Sequence, residues 1–238
     1  MIDAVVTWRW PPPTGYRSTF GPDTVNVLRR SVARHYPRPH RFLCVTDDAV
    51  GLDPEVEIIP AWNDFADVPP PTGTVRNPSC YRRLRMFHPE IGRMFGDRFV
   101  SLDLDIVITG DLQPVWDRPE AIVLYGDTNP RTFYNGSMIL MHAGARPEVW
   151  TDFEPSSSPS RAKAAGHFGS DQGWISHRLG AGEAKWSQKD GVYSYRNDLA
   201  PHGASRLPSD ARMVIFHGHV DPWSADGQRL PWVQEHYQ

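Results

Sequence analysis

The chain has 238 residues, which suits one large globular domain. Apolar residues make up 39% of it and charged residues 22%, with a formal net charge of −3, which rules out a highly charged disordered chain and argues against nucleic-acid binding. No apolar run approaches the ~20 residues of a membrane span, so we expect no stable membrane insertion and no cleavable leader. Two cysteines, Cys44 and Cys80, are too few for a disulfide framework, which favours a cytoplasmic protein.

The first part of the chain predicts strands and a helix in alternation. Residues 2–8 are an apolar, strand-like run, and helical spacing of Val25, Leu28 and Val32 predicts a helix that begins near Pro22 and ends before Pro37. Strands are predicted at 41–46 and 56–59. This β-α-β-β order predicts an α/β sheet with some parallel strands.

The rest of the chain continues the same pattern. A helix is predicted from Ser79 toward Phe87 and another at Asp171–Leu179. Strands are predicted at Arg98–Leu102, Ile106–Ile108, 121–125, 137–141 and 213–217.

The sharpest chemical feature is the acidic pair Asp103 and Asp105, directly after the apolar strand Arg98–Leu102. Residues two apart in a strand face the same way, about 6–7 Å apart, so their carboxylates can converge on one hard cation. The spacing alone is common, and a solvated turn accounts for it about as well. Two like charges at the end of a buried strand nevertheless need neutralisation, which a metal ion with an anionic ligand would supply.

Three kinds of protein place such a pair after a strand. An EF-hand loop is excluded because Val107 and Ile108 occupy its fifth and sixth positions. A haloacid-dehalogenase-type phosphatase expects the pair near the amino terminus and a later lysine, but a hundred residues precede it and only three of the 25 basic residues are lysines. A nucleotide-sugar transferase matches, because there a nucleotide-binding half precedes the acidic pair.

The ordered motifs resemble GT-A-fold glycosyltransferases, most of all the glycogenin-like and lipopolysaccharide-galactosyltransferase-like retaining enzymes. Four segments carry the resemblance, which extends from residue 2 to about residue 223: residues 4–8, 102–105, 134–138 followed by Asp171 and Gln172, and 216–223. It implies one Rossmann-like α/β domain over residues 1–238, with a mixed, mostly parallel central sheet flanked by helices. Residues 1–105 would form the nucleotide-binding half, and 106–238 the sugar and acceptor half.

The resemblance also implies a site and its ligands. A Mn²⁺ or Mg²⁺ ion would be held by Asp103, Asp105 and His217, and the donor would be a UDP-sugar. The sugar would pass to a glycan or another hydroxyl acceptor, with Asp171 and Gln172 in the catalytic role. The donor-binding residues implied are Thr7, Asp47, Arg82, Asp103, Asn135, Gly136, Ser137 and Gly218.

The sequence departs from the family pattern at two positions. Ile215 stands where the family has its metal-binding histidine; His217 would share that face of the strand, with His219 as a competitor. Asp221 stands where the family has a lysine that binds the diphosphate, so Arg82 or Arg83 is expected to supply the positive charge.

Several alternatives remain open at this level. Residues 135–137 suit recognition of sugar hydroxyls and equally suit a plain β-turn. Asp171 would stabilise the first turn of a helix capped by Ser170, or would be the base of an inverting enzyme. Asp47 and Asp48 would meet the base or ribose, or start a turn. A noncatalytic nucleotide-sugar binder is the second functional class, and the phosphatase is the third.

Overall fold

The structure is a computed structural model that describes residues 1–16, 18–71, 79–126 and 131–238. Its strands, in chain order, are β1 (Ala4–Arg9), β2 (Arg41–Thr46), β3 (Glu57–Pro60), β4 (Arg98–Leu102), β5 (Ile106–Ile108), β6 (Ile122–Gly126), β7 (Tyr134–His142), β8 (Ala184–Trp186), β9 (Val192–Ser194) and β10 (Met213–Ile215). Its α-helices are α1 (Pro22–His35), α2 (Gly92–Phe95), α3 (Gln113–Trp116), α4 (Glu148–Thr151), α5 (Ser158–Ala164), α6 (Asp171–Leu179) and α7 (Pro231–His236).

Seven strands form the central sheet in the order β3-β2-β1-β4-β7-β6-β8. The pairs β1–β2, β2–β3, β1–β4 and β6–β8 are parallel, whereas β7 runs antiparallel to both β4 and β6. The predicted mixed, mostly parallel sheet is therefore confirmed. A separate three-stranded sheet, β5-β10-β9, pairs β5 with β10, about a hundred residues further along the chain.

Apolar cores lie on both faces of the central sheet, because side chains alternate along each strand. In β1, Val5 faces one core, whereas Ala4, Val6 and Trp8 face the other. Helix α1 covers the first core, and α6 covers the second, where Trp174 is fully buried. The helices flank the sheet as predicted, and they leave its strand ends available for a site.

Three elements differ from their sequence-based predictions in ways that affect this site. The helix predicted over 79–87 is a 3₁₀-helix, Tyr81–Phe87, and the strand predicted over 137–141 is longer, Tyr134–His142. The strand predicted over 213–217 ends at Ile215, so His217 lies in the loop that follows β10 and not in the strand. Gly218, three residues after the end of β10, has a φ of 124°, which only glycine adopts readily.

None of the helices in the described part of the chain combines the length and the apolar character needed to cross a bilayer.

Candidate active site

The candidate site lies where β1 and β4 end and β7 begins. Thr7 pairs with Leu102 in the parallel register, and Leu102 pairs with Met138 in the antiparallel one. The backbone amide of Asp103 then donates a 2.9 Å hydrogen bond to the carbonyl oxygen of Ser137. The sheet register therefore brings the acidic pair and the predicted sugar-facing segment together, although they are about thirty residues apart.

Arg83 joins this edge of the sheet to helix α6. Its Nη1 donates to Oδ1 of Asp103 in a very short contact, and its Nε and Nη2 lie 2.8 and 2.6 Å from Oδ2 of Asp171. Arg83 is 5% exposed and Asp171 is 2% exposed. One buried guanidinium thus connects the first aspartate of the acidic pair with the predicted catalytic aspartate.

Charge balance in this group depends on Arg83. Burial alone would lower the pKa of the guanidinium, but the carboxylates of Asp103 and Asp171 hold that pKa well above its usual value. Burial raises the pKa of Asp171, and Arg83 opposes this effect. Because a buried carboxylate is costly without a counter-charge, Arg83 stabilises the ionised form of Asp171 in this position.

Gly136 is needed for the close approach of Arg83. A Cβ at this position would lie 2.6 Å from Nη2 of Arg83 and 3.4 Å from Oδ2 of Asp171. Since real Cβ contacts are not that short, any larger residue would displace the guanidinium from its carboxylates. The predicted site residue Gly136 therefore has a steric role that its position in a turn-like motif did not reveal.

The other predicted sugar-facing residues lie around Gly136. The side-chain Oδ1 of Asn135 accepts a 2.9 Å hydrogen bond from the backbone amide of Ser137, and both residues are buried. The amide of Gly136 donates a long, 3.4 Å hydrogen bond to Oε1 of Gln172, in the first turn of α6. These hydrogen bonds, together with the Arg83–Asp171 ion pair beside Gly136, bring the segment 135–137 and the first turn of α6 together at this edge of the sheet.

The loop that carries His217 lies beside the acidic pair. The backbone amide of Phe216 donates a 2.8 Å hydrogen bond to the carbonyl oxygen of Asp105, continuing the β5–β10 pairing. Nε2 of His217 lies 2.7 Å from Oγ of Ser194. His217 is partly buried, whereas its competitor His219 is exposed.

Two carboxylates and an imidazole are a donor set that suits Mn²⁺ or Mg²⁺. Asp103, Asp105 and His217 thus fit such an ion in the chemistry of their side chains. Within residues 1–16, 18–71, 79–126 and 131–238, however, no three His, Cys, Asp or Glu side chains converge closely enough to hold a metal. The carboxylate of Asp103 is engaged by Arg83 instead.

The nucleotide-side residues have their own partners. Oγ1 of Thr7 is fully buried and donates a 3.0 Å hydrogen bond to the carbonyl oxygen of Leu102, which makes it part of the sheet. Asp47 is exposed, and its Oδ2 accepts a 2.8 Å bond from Nη1 of Arg82. Arg82 also donates from Nε to the carbonyl oxygen of Trp62 at 2.9 Å. Asp47 and Arg82 therefore form a pair apart from the Arg83 group.

The cleft at this edge has a volume of about 160 Å³ and contains both members of the acidic pair. Its walls combine aromatic rings, which can stack on a base or a sugar, with polar groups. The lining residues are Trp8, Arg9, Trp10, Pro12, Tyr16, Phe20, Cys80, Arg83, Asp103, Leu104 and Asp105.

Asp221, at the second departure from the family pattern, is buried. Its Oδ2 accepts a 2.5 Å hydrogen bond from Oγ of Ser18, and the residue is 5% exposed. Asp221 therefore anchors the loop that contains Ser18. Sequence reasoning missed this contact and the one between Ser194 and His217, since each joins segments far apart in the chain.

Comparisons with solved structures agree with this fold. The galactosyltransferase LgtC, solved with donor and acceptor sugar analogs, is similar at a TM-score of 0.63 and 14% identity, over 99% of this chain and 96% of its own. GlyE from Streptococcus pneumoniae TIGR4 (TM-score 0.59, 12% identity) matches 94% of this chain, which spans 57% of GlyE.

Mouse xyloside xylosyltransferase 1 is also similar, at a TM-score of 0.54 and 10% identity, over 90% of this chain and 97% of its own. No protein-family model matches the sequence, and no curated protein matches it. Likeness at such low identity establishes the fold and not the activity. The chain accordingly has the single-domain GT-A fold that its motifs predict.

Proposed function

We propose that this protein is a metal-dependent glycosyltransferase that moves a sugar from a UDP-sugar to a hydroxyl group of a glycan or other acceptor, with retention of configuration. The observation that carries the proposal is the bridge that Arg83 makes between Asp103 and Asp171. It couples the end of the proposed nucleotide-binding half, residues 1–105, to the proposed sugar and acceptor half, residues 106–238. The two free cysteines are compatible with a reducing compartment such as the cytoplasm.

The proposed metal ligands are Asp103, Asp105 and His217. Support comes from the backbone hydrogen bond between Phe216 and Asp105, which holds the His217 loop against the acidic pair. When bound, a Mn²⁺ or Mg²⁺ ion supplies Lewis-acid stabilisation of the negative charge that grows on the leaving diphosphate. His217 is favoured over His219 because it is partly buried, whereas His219 is exposed.

The proposed sugar-binding groups are buried, and that burial gives them selectivity. Asn135, Ser137 and Asp171 are each less than a tenth exposed. A buried donor or acceptor left without a partner costs about 1–3 kcal/mol, so a sugar lacking the matching hydroxyl group would bind more weakly. Gln172, at the first turn of α6, would contact the same sugar.

The engagement of Asp171 favours retention over inversion. An inverting enzyme needs a carboxylate that accepts the proton of the attacking hydroxyl. Oδ2 of Asp171 already accepts two bonds from Arg83, and proton uptake would break this buried ion pair. The anomeric configuration of the product, determined by NMR, tests this point. An inverted product would indicate that Asp171 acts as the general base.

The direct test is a thermal-shift panel of nucleoside diphosphates with and without Mn²⁺, followed by release of UDP from UDP-sugars. We expect UDP to raise Tm only when Mn²⁺ is present, since a ligand stabilises the state that binds it. UDP release identifies an enzyme, whereas binding without release under every acceptor tried identifies a noncatalytic binder. Release of inorganic phosphate from a sugar phosphate would instead support a phosphatase.

Asp103→Ala should abolish both the Mn²⁺-dependent shift and transfer while the protein stays folded. Asp226→Ala is the matched control, because Asp226 also pairs with an arginine, Arg229, but both side chains are more than 60% exposed. Exposed pairs of this kind contribute about 0–1 kcal/mol, so the control should behave like the wild type. Normal turnover by Asp103→Ala would overturn the metal assignment.

A further inference from the structure

The proposed donor carries a diphosphate, and its charge needs a cation in addition to any metal. The two arginines that the sequence analysis offers for this role, Arg82 and Arg83, both form ion pairs with carboxylates. Arg82 bonds to Asp47 at 2.8 Å, and Arg83 is buried between Asp103 and Asp171. Moving either guanidinium onto a phosphate would leave at least one carboxylate without its partner.

Arg196 lies against the loop that follows β10. Its Cδ is 3.1 Å from the position that a Cβ would take at Gly218, and its Nη1 and Nε are 3.8 and 3.9 Å from that position. Gly218 follows His217, the proposed metal ligand. The Arg196 side chain therefore packs over the backbone of Gly218, where a Cβ at residue 218 would make a tight contact with Cδ and ordinary contacts with the guanidinium nitrogens.

The turn that presents Arg196 is built onto this segment by the residues on each side of it. The ring of Tyr195 stacks on that of Phe216, with centroids 4.4 Å apart and planes 7° from parallel. The backbone amide of Asn197 donates a 3.0 Å hydrogen bond to Oγ of Ser194, the same oxygen that lies 2.7 Å from Nε2 of His217. These contacts hold residues 194–197 and 216–218 as one unit.

Among the described residues, Arg196 makes no ion pair. Its side chain is exposed, and no carboxylate in the part of the chain that the structure describes lies within ion-pair distance of it. This sets it apart from the arginines of the cleft, since Arg9 pairs with Asp48 and Arg83 pairs with two aspartates. An exposed guanidinium without a carboxylate partner, packed on the loop after His217, is suited to a phosphate, which it can bind through two parallel hydrogen bonds.

We propose that Arg196 binds the diphosphate of the donor, in place of the lysine that the family pattern has at the position of Asp221. This inference rests on the proposed function, because it takes a nucleoside diphosphate as the ligand. Gly218 serves the same contact, since its lack of a side chain lets both Arg196 and a phosphate approach the loop. Arg196 then supplies the second positive charge without disturbing Arg83.

The test compares Arg196→Gln with Arg206→Gln, in the full chain. Arg206 is a matched control because it is also exposed and, among the described residues, makes no ion pair. UDP and uridine are titrated in the presence of Mn²⁺, with NMR or calorimetric detection. We expect Arg196→Gln to weaken UDP binding about tenfold, which corresponds to about 1.4 kcal/mol, and to leave uridine binding unchanged. Arg196→Lys should recover part of the loss, because it keeps the charge without the planar fork.

The outcomes separate this inference from the proposed function. If the wild type binds UDP and Arg196→Gln loses no more affinity than Arg206→Gln, Arg196 is not the diphosphate ligand. An equal loss for UDP and uridine would also overturn it, because the effect would not depend on phosphate. If the wild type itself fails to bind UDP with Mn²⁺, the proposed function fails first, whatever the variants do.

Discussion

Two arginines are buried at opposite ends of the same strand, and they are satisfied in different ways. Arg98, the first residue of β4, is 7% exposed; Arg83, which meets Asp103 just after the last residue of β4, is 5% exposed. Arg98 bonds to the carbonyl oxygens of Arg118 and Glu120 and to His142. Arg83 bonds to two carboxylates.

The electrostatic consequences are opposite. Burial lowers the pKa of Arg98, where most of the bonded acceptors are neutral. For Arg83, the two carboxylates overcome burial and hold the pKa well above its usual value. Neutral carbonyls are enough to satisfy a buried guanidinium, so stability alone did not require Asp103 and Asp171 around Arg83. Buried ionisable groups with strongly perturbed pKa values are candidates for a functional site, and this difference favours the carboxyl end of β4 as the place of the candidate site.

Replacing each arginine in turn is the strongest test of this difference between the two ends of β4. Arg83→Gln leaves two carboxylates without their counter-charge, so we expect the free energy of unfolding to fall by about 3–5 kcal/mol and transfer to be lost. Arg98→Gln removes hydrogen bonds to neutral acceptors and should cost about 1–3 kcal/mol while UDP binding is retained. Urea unfolding measures the free energy of unfolding of each variant, and UDP titration measures whether UDP binding is retained.

A double variant keeps this prediction testable if Arg83→Gln folds poorly. Arg83→Gln/Asp171→Asn removes the more buried of the two carboxylates together with the arginine, so part of the lost stability should return. The non-additivity of the two substitutions measures their coupling. Equal loss of UDP binding in the Arg83 and Arg98 variants would contradict the functional distinction between the two ends of β4.

Local patterns in the sequence were enough to predict most of the framework. The apolar run of β4 and the charged residues after it place Asp103 at a strand end, and the spacing of Val25, Leu28 and Val32 predicts α1. The three-stranded sheet was not predicted as a separate unit, because its pairing of β5 with β10 joins residues about a hundred positions apart. No local pattern encodes such a partner choice.

The residue pattern did not determine which arginine of residues 81–87 points into the protein. Residues 81–87 form a 3₁₀-helix, in which residues three apart share a face. Tyr81, Leu84 and Phe87 are therefore all buried, and Arg83, rather than its neighbour Arg82, is directed into the protein. The sequence offered both arginines as the cation of the site, and only the structure distinguishes them.

A smaller effect is expected from narrowing the space around Arg83. In Gly136→Ala, the new Cβ would lie 2.6 Å from Nη2 of Arg83, so the guanidinium must shift from its carboxylates. Overpacking of this kind costs about 1–3 kcal/mol of stability. Because the shift also loosens Arg83 from Asp103 and Asp171, we expect kcat/KM for the UDP-sugar to fall. Gly182→Ala is the control, because nothing lies within 4 Å of the added Cβ. Full activity of Gly136→Ala would show that the close approach at Gly136 is not needed.

The smallest effect concerns the two cysteine thiols of the unchanged protein. Their reactivity reports whether the charge of Arg83 is neutralised by Asp103 and Asp171. An arginine beside a thiol ordinarily lowers its pKa, yet burial raises the pKa of Cys80 to about 12, with the nearby Asp171 and Asp103 opposing Arg83. Burial also raises the pKa of Cys44 to about 12. At pH 8 only about one thiol in ten thousand would then be ionised, so both should react slowly with a disulfide reagent until the protein is unfolded.

Cys80→Ser assigns the two signals, since the remaining thiol is Cys44 in the buried strand β2. We expect the native wild type to show no fast thiol and the unfolded protein to show two. A fast thiol that disappears in Cys80→Ser would mean that Arg83 activates its neighbour, and hence that its charge is not consumed by Asp103 and Asp171. In Arg83→Gln the native Cys80 thiol should become less acidic still, because the opposing positive charge is gone and burial remains.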